Sequence, residues 1–160
     1  MHLNDSWCIY FHDPFDKNWD ESSYIKIGII SSTHDAFNML RSIHNYSDKG
    51  MFFIMREHIF PEWNNDNNKD GGAFSLKVLK ENINTFFEDI VLKLLGETIL
   101  HESKQYLWET INGISISPKK NFCIIKIWIK EHEKITHDDI SLLKDSYNGT
   151  IMYAKHGGIS

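Results

Sequence analysis

Residues 122–129 read FCIIKIWI, a pattern typical of a β-strand with two different faces. One set of alternate side chains is wholly apolar: Cys123, Ile125, Ile127 and Ile129. The other set is mixed: Phe122, Ile124, Lys126 and Trp128. We therefore expect the apolar face to lie under helices and the mixed face to form a partly solvated, functional surface.

Six other short segments are rich in β-branched and aromatic residues and predict strands. They are residues 7–11, 24–30, 50–55, 73–79, 111–116 and 150–155. Three segments between them predict helices, at residues 33–45, 84–101 and 136–149. Hairpin-like pairs of strands alternate irregularly with single helices. This order favours an α+β fold with an antiparallel sheet covered on one face over a doubly wound parallel sheet.

Each predicted helix begins with the signature of a capping box, a Ser or Thr followed three residues later by an acid. The pairs are Ser32 and Asp35, Thr85 and Glu88, and Thr136 and Asp139. Apolar residues follow at helical spacing. They are Phe37, Leu40 and either Ile43 or His44 in the first helix, Phe86, Ile90, Val91, Leu94 and Leu95 in the second, and Ile140, Leu143 and Tyr147 in the third, which ends at Gly149.

Length and composition restrict the class of protein. The chain has 160 residues, three prolines and no repeat or linker, so we expect a single domain over residues 1–160. A formal charge of -5 argues against a long surface that tracks nucleic-acid phosphates. The sequence has no apolar run of membrane-spanning length and no secretory signal, and Cys8 and Cys123 are isolated in apolar surroundings. These features predict a cytoplasmic protein with buried, free thiols.

Two of the five tryptophans are difficult to explain as core residues. Trp19 lies in the polar run DKNWDESS at residues 16–23, and Trp63 lies in PEWNND at residues 61–66. A tryptophan in a polar loop gains little burial from its sequence neighbours. Each indole either folds back onto the core or is presented to a ligand, and the sequence leaves both alternatives open.

Residues 59–74, IFPEWNNDNNKDGGAF, resemble the signature of the eukaryotic translation initiation factor 4E family, whose members bind the 7-methylguanosine cap of mRNA. Further matches keep the family's order and spacing over nearly the whole chain: His2-Leu3, Trp7 with Tyr10-Phe11, Lys17-Asn18-Trp19, Phe37 with Leu40, Leu94-Leu95-Gly96-Glu97, Asn112-Gly113, Ile127-Trp128, and Tyr153 with His156. The resemblance implies a strongly curved antiparallel β-sheet backed by three α-helices on its convex face, with the cap held in a slot on the concave face.

The resemblance also implies roles for individual residues. Trp19 and Trp63 would stack on the two faces of the methylated base, and Trp128 would contact the N7 methyl group, with a core role for Trp128 as the alternative. The family carries an acid at the position of Asn64, where it binds the guanine edge. A neutral amide there predicts either weaker binding of the ordinary cap or a preference for a differently decorated one, unless Glu62 or Asp66 substitutes.

For the cap phosphates, the resemblance points to two lysines that precede the 122–129 segment and one that lies within it. Lys119 matches a basic family residue, Lys120 is adjacent, and Lys126 can replace a family lysine that is Ile124 here. A solvated turn after Pro118 is the alternative reading of the first two. Near the C-terminus, Lys155 and His156 are candidates for the second-nucleotide region.

The family docks a scaffold factor or a repressor on its first two helices. Four positions of this chain match that surface: His34, Asn38, Glu88 and Leu92. Asn38 replaces the family's central tryptophan, which predicts a divergent scaffold partner or none. Two readings follow, an initiation factor and a cap-binding repressor. We expect no cofactor, no metal site, no membrane contact, and a monomer.

A small enzyme is the remaining alternative. The segment Glu131-His132-Glu133 with His137 contains metal-ligand residue types, but its spacing matches no zinc motif, and the cysteines are remote.

Overall fold

A computed structural model describes residues 1–141 and 147–157. It contains all seven strands that the sequence predicts, and the largest difference is that the first begins five residues earlier. Their bounds are β1 His2–His12, β2 Tyr24–Ser32, β3 Met51–Arg56, β4 Gly72–Leu79, β5 Ile111–Pro118, β6 Phe122–Ile129 and β7 Ile151–Lys155. They form one curved antiparallel sheet in the order β2-β1-β3-β5-β6-β4-β7.

The first predicted helix is confirmed as α1, Thr33–Ile43. Its capping box is formed: the Asp35 amide donates to the Ser32 hydroxyl at 3.1 Å, and the Ser32 amide donates back to the Asp35 carboxylate at 3.0 Å. The predicted apolar face is wrong at Phe37, which is 61% exposed. The prediction is confirmed at Ile43, which is buried, and at Leu40, which packs against the core. Ala36 and Met39 take the place of Phe37, because their spacing of three and four residues relative to Ile43 puts these side chains on one side of the helix.

The second helix, α2, spans Ile83–Leu95, so the predicted end at residue 101 is wrong. The chain leaves the helix at Gly96, and Glu97 adopts the left-handed conformation with φ of 60° that commonly ends helices. The Thr85 and Glu88 capping box is also wrong, because a 3₁₀ turn over Lys80–Asn82 already starts the helix upstream. The predicted apolar face of this helix is buried.

The third predicted helix lies partly outside the described residues, since 142–146 include Leu143. Thr136 and Asp139 form their capping box around a short 3₁₀ turn, His137–Asp139, and Ile140 then pairs with Leu100 in an isolated bridge. Another 3₁₀ segment, Glu102–Thr110, enters β5. No helix among residues 1–141 and 147–157 is long and apolar enough to cross a membrane.

The sheet separates two hydrophobic clusters. The larger cluster lies between the convex face and the helices, and it includes the apolar face of β6, from Cys123 to Ile129, as predicted. The smaller cluster lies on the opposite, concave face; its buried members are Cys8, Tyr10, Phe53, Met55, Ile59, Ala73 and Trp128. Both cysteines are buried and free, and burial raises the pKa of each thiol.

Two long connections bring polar sequence to the concave face. Residues 13–23 join β1 to β2, and residues 57–71 join β3 to β4, with Ile59 and Phe60 packed on the concave cluster. The second connection ends at a glycine pair that permits close approach of three chain segments. A Cβ on Gly71 would lie 1.8 Å from the Ile129 carbonyl oxygen, and one on Gly72 would lie 2.4 Å from the Ala154 carbonyl oxygen.

Candidate functional site

Burial divides the five tryptophans into two groups. Trp7, Trp108 and Trp128 are buried, whereas Trp19 is 46% exposed and Trp63 is 58% exposed. Trp7 and Trp108 both contact the guanidinium of Arg56, which also forms an ion pair with Asp5. The two tryptophans that the sequence singled out are therefore the two whose indoles reach solvent.

Trp19 is held by a loop built from successive side chain to backbone turns. The amide of Asn18 donates to the Asp16 carboxylate at 2.9 Å, and the amide of Asp20 donates to the Asn18 side-chain oxygen at 3.1 Å. Asp and Asn favour this local bonding, which explains why the polar run folds as a compact loop. One face of the indole lies flat on the imidazole of His12, with the ring centroids 3.7 Å apart and an angle of 4° between the planes.

Trp63 is positioned by two buried asparagines that sequence reasoning missed. The side-chain amide of Asn68 donates to the carbonyl oxygens of Phe60 at 3.0 Å and of Glu62 at 2.9 Å. The side-chain amide of Asn112 in turn donates to the Asn67 carbonyl and the Asn68 side-chain oxygen, both at 2.8 Å. Asn112-Gly113 was a family match without an assigned role, and its contact with residues 67 and 68 depends on the tertiary fold.

Tyr24 links the two tryptophan loops. Its ring lies 6.1 Å from Trp19 and 5.0 Å from Phe60, both edge-on, and its hydroxyl donates to the Pro61 carbonyl at 3.1 Å. Burial raises the pKa of Tyr24 to about 12, so the hydroxyl remains a donor at neutral pH. Trp19 and Trp63 are therefore carried by neighbouring loops that share one aromatic support on the concave face.

Three carboxylates border the same loops. Burial raises the pKa of Glu62, and the nearby charges of Glu21 and Asp20 raise it further. Hydrogen bonds from Ser22 lower the pKa of Asp20, which keeps that carboxyl ionised. The residues next to Trp19 and Trp63 in sequence thus supply negative charge, which suits a cationic ligand better than an anionic one.

Trp128 is 2% exposed, so the expected partly solvated surface at this residue is wrong. Its indole nitrogen donates to the Ser115 hydroxyl at 3.0 Å, and the rings of Phe53 and His156 lie 6.2 Å and 4.6 Å away. The structure places Trp128 in the concave core cluster, which was the alternative reading. The His156 ring and the neighbouring residues of the concave cluster thus leave Trp128 almost no exposed surface.

The candidate phosphate-binding lysines surround the hairpin between β5 and β6. Lys119 and Lys120 are exposed in its turn, where the Lys119 amide donates to the Phe122 carbonyl at 2.8 Å. Lys126 is partly buried on the concave side of β6; burial lowers its pKa, and Lys119 lowers it further. Lys155 is exposed at the end of β7, whereas His156 is partly covered, and burial beside Lys126 lowers its pKa to about 4.

Asn64 is exposed directly after Trp63 and is free to face a ligand. Of the two acids considered as its substitutes, Asp66 forms a surface ion pair with Lys69 at 3.2 Å. Glu62 directly precedes Trp63 and lies near the charges of Glu21 and Asp20.

The outer face of α1 and α2 is polar at the expected partner surface. The side chains of His34 and Asn38 hydrogen-bond to each other at 3.0 Å, one helical turn apart. Glu88 is exposed on α2, while Leu92, at 41% exposed, and Phe37 remain as apolar side chains on this surface.

The residues considered as metal ligands do not form a metal centre in the described part of the chain. No group of three or more His, Cys, Asp or Glu side chains with suitable geometry occurs there. A ring nitrogen of His132 instead lies 2.9 Å from the Tyr153 hydroxyl, which ties the segment after β6 to β7.

Comparison with known proteins identifies one matching family. The family model described as "Eukaryotic initiation factor 4E" matches residues 2–157. The Candida albicans eukaryotic translation initiation factor 4E is 24% identical over 139 residues, which cover 81% of this chain and 64% of that protein. The Dictyostelium discoideum factor of the same name is 25% identical over 165 residues, covering 96% and 64%. The chain thus spans under two thirds of the length of these relatives.

Solved structures share the fold. The schistosome eIF4E complexed with m7GpppA and 4E-BP has a TM-score of 0.80 at 17% identity and covers 98% of this chain and 88% of that one. The Ascaris suum eIF4E-3 complex with m2,2,7G cap has a TM-score of 0.79 at 19% identity and covers 99% and 93%. The sheet, its helical cover and the family match over nearly the whole chain lead to one assignment and remove the small-enzyme alternative. The chain belongs to the eukaryotic initiation factor 4E family.

Proposed function

We propose that this chain binds the 7-methylguanosine cap of cytoplasmic mRNA, with the methylated base between Trp19 and Trp63. The observation that carries the proposal is that the two exposed tryptophans, of five, stand on neighbouring loops joined by Tyr24. Structures with the same fold include one bound to m7GpppA and one bound to an m2,2,7G cap. A cap analogue is therefore the natural ligand to test.

The chemistry of the loops favours the methylated base. Methylation at N7 gives guanine a delocalised positive charge, which is attracted to indole faces. Each base–aromatic stack contributes roughly 1–3 kcal/mol, and a desolvated cation–π contact reaches about 2 kcal/mol. The carboxylates of Asp20, Glu21 and Glu62 add favourable potential. Unmethylated guanine keeps the stacking and loses the charge-dependent part.

The test is a titration with m7GTP and with GTP, followed by quenching of tryptophan fluorescence. We expect m7GTP to bind more tightly, and Trp19→Ala and Trp63→Ala each to weaken its binding at least tenfold. Tyr106→Ala is the matched control, because Tyr106 is an exposed aromatic on the 3₁₀ segment before β5. Equal affinity for the two nucleotides, or full affinity in both tryptophan variants, would contradict the proposal.

The guanine edge is the position where this chain departs from its family. Asn64 offers one neutral carbonyl acceptor, which gives up about 1–2 kcal/mol relative to a charge-assisted carboxylate. A cap with two methyl groups on N2 has no N2–H to satisfy, so it loses less from this replacement than the singly methylated cap. Titration with m2,2,7GTP beside m7GTP therefore tests this reasoning. Similar affinities for the two nucleotides would support a guanine-edge contact that no longer depends on the N2–H group. Much tighter binding of m7GTP would oppose it.

The side chains of Lys119, Lys120 and Lys126 would bind the triphosphate of the cap. Lys155 and His156 would lie near the second nucleotide. Lys126 is the best supported of the three, because its partly buried position on the concave side keeps its charge poorly hydrated. We expect Lys126→Met to weaken m7GTP binding more than binding of the 7-methylguanosine nucleoside. Lys134→Met, at an exposed lysine paired with Glu131, is the control.

Two roles in translation are compatible with cap binding: an initiation factor with a divergent scaffold partner, and a repressor that occupies the cap. The hydrogen-bonded pair of His34 and Asn38 favours the second, because it places polar groups where the family presents a tryptophan. Complementation of a yeast strain lacking its own cap-binding factor would support initiation. Failure despite tight cap binding would support repression. Nanomolar binding of the common scaffold peptide would refute a divergent partner surface.

A further inference from the structure

His12 is the only histidine with no exposed surface among residues 1–141 and 147–157, and nothing in the family match assigns it a role. It is the last residue of β1 and pairs with Tyr24 on one side and Met51 on the other. Its ring points to the concave face, edge-on to Tyr24 at 5.1 Å. A fully buried polar ring at this place needs a structural reason, which its contacts provide.

The ring nitrogens of His12 contact three points of the loop that carries Trp19. Nε2 lies 2.7 Å from the carbonyl oxygen of Asn18, the residue directly before Trp19, and 3.1 Å from the Ser23 hydroxyl. Nδ1 lies 2.9 Å from the Asp13 carbonyl oxygen. The imidazole therefore contacts the first residue of the loop, its centre and its end.

The flat face of the same ring supports Trp19. The centroids are 3.7 Å apart and the planes differ by 4°, which is van der Waals stacking over the overlapping area. One face of the indole is covered by His12, and the residue as a whole is 46% exposed. A flat ligand therefore has a single face of Trp19 on which to stack.

Trp63 has no such support. It is 58% exposed, and no aromatic ring stacks on it within the part of the chain that the structure describes. The two tryptophans thus differ in how firmly they are held without a ligand. The indole plane of Trp19 is fixed by stacking on His12. Trp63 is held through the asparagine hydrogen bonds to the backbone of its loop.

We propose that His12 is a positioning residue for ligand stacking, which holds the indole of Trp19 in its ligand-ready plane through ring stacking and its bond to Asn18. This inference rests on the proposed function, since it concerns the same ligand. Fixing a side chain before binding removes the entropy loss that the ligand would otherwise have to offset. Loss of His12 is therefore expected to weaken binding although the residue touches no ligand.

The experiment is a double-mutant cycle between His12 and Trp19, with m7GTP titrated to millimolar concentration well below the melting temperature of every variant. We expect His12→Ala to weaken binding about tenfold. His12→Phe keeps the flat ring and loses the bonds to the loop, so it should weaken binding about threefold. His58→Ala, at an exposed histidine after β3, is the control.

The cycle separates positioning from general damage to the fold. If His12 acts through Trp19, His12→Ala changes affinity less than twofold when Trp19→Ala is already present, and still about tenfold when Trp63→Ala is present. An equal loss of affinity on His12→Ala in the parent, in Trp19→Ala and in Trp63→Ala would overturn the inference. Full affinity in both His12→Ala and His12→Phe would also overturn it. If His12→Ala does not fold, the same cycle is run with His12→Phe.

The outcomes also distinguish the inference from the function on which it rests. An unaltered chain that does not bind m7GTP contradicts the proposed function itself. An unaltered chain that binds, and that weakens with Trp19→Ala but not with either His12 variant, contradicts only the role of His12.

Discussion

Replacing Asn112 with alanine tests whether its buried side chain holds the loop that carries Trp63. Asn112 is fully buried on β5, and its amide donates two hydrogen bonds of 2.8 Å, to the Asn67 carbonyl and to the Asn68 side-chain oxygen. The Asn68 side-chain amide in turn donates hydrogen bonds to the carbonyl oxygens of Phe60 and Glu62, on the N-terminal side of Trp63. Loss of Asn112 therefore affects both stability and the tryptophan loop.

The expected magnitude follows from the groups left behind. Two hydrogen bonds at about 1 kcal/mol each, and about 1 kcal/mol more for the Asn68 side-chain oxygen that stays buried without this donor, cost about 3 kcal/mol. The Asn112 side-chain oxygen has no hydrogen-bond partner among the described residues, so its removal returns about 1 kcal/mol. The net loss is about 2 kcal/mol, which for a domain of this size lowers the melting temperature by about 4–8 °C.

The assay is thermal unfolding followed by circular dichroism, with cap-analogue affinity measured on the same samples at a temperature where all are folded. Asn112→Asp should be less stable than Asn112→Ala, because a carboxylate would face two acceptor oxygens in a buried place. Asn45→Ala, at an exposed asparagine just after α1, should stay near the parent. A melting temperature for Asn112→Ala within 1 °C of the parent, or equal stability of the alanine and aspartate variants, would refute the reasoning.

Three further changes test other parts of the site. Asn64→Glu should tighten m7GTP binding about tenfold by restoring a charge-assisted acceptor, whereas Asn64→Gln should not, and equal affinities in a titration would count against this role for Asn64. Because burial beside Lys126 lowers the pKa of His156 to about 4, the unfolded state binds more protons than the folded state between its ordinary pKa near 6.5 and pH 4. Urea unfolding should therefore show the parent losing about 1–2 kcal/mol relative to His156→Phe as the pH falls through this window, after allowance for partial exposure, and parallel pH profiles would contradict it. Gly71→Ala should disrupt the junction of β4 and β6 and lower the melting temperature far more than Gly28→Ala. An added Cβ meets the Ile129 carbonyl oxygen at 1.8 Å at Gly71 and no atom within 4 Å at Gly28. Similar melting temperatures of the two variants would contradict this expectation.

Local patterns predicted the secondary structure best where one face of an element is buried. The alternation in residues 122–129 gave the correct faces of β6, because the period of a strand fixes which side chains point together. The same reasoning failed at Phe37 and at residues 96–101. At Phe37 a large apolar residue lies on the outer face of α1, and after Gly96 the backbone leaves the helix although apolar residues continue at Ile99 and Leu100.

Sequence alone determined the fold class, the strands and the two unusual tryptophans, because each depends on residue type and short spacing. Tertiary structure decided how those tryptophans are held: His12 beneath Trp19, Asn68 and Asn112 behind the Trp63 loop, and Tyr24 between the loops. It also decided that Trp128 is covered by His156 rather than exposed. These contacts join residues distant in the chain, and their energies come from stacking and from hydrogen bonds in buried places, which no local pattern of sequence records.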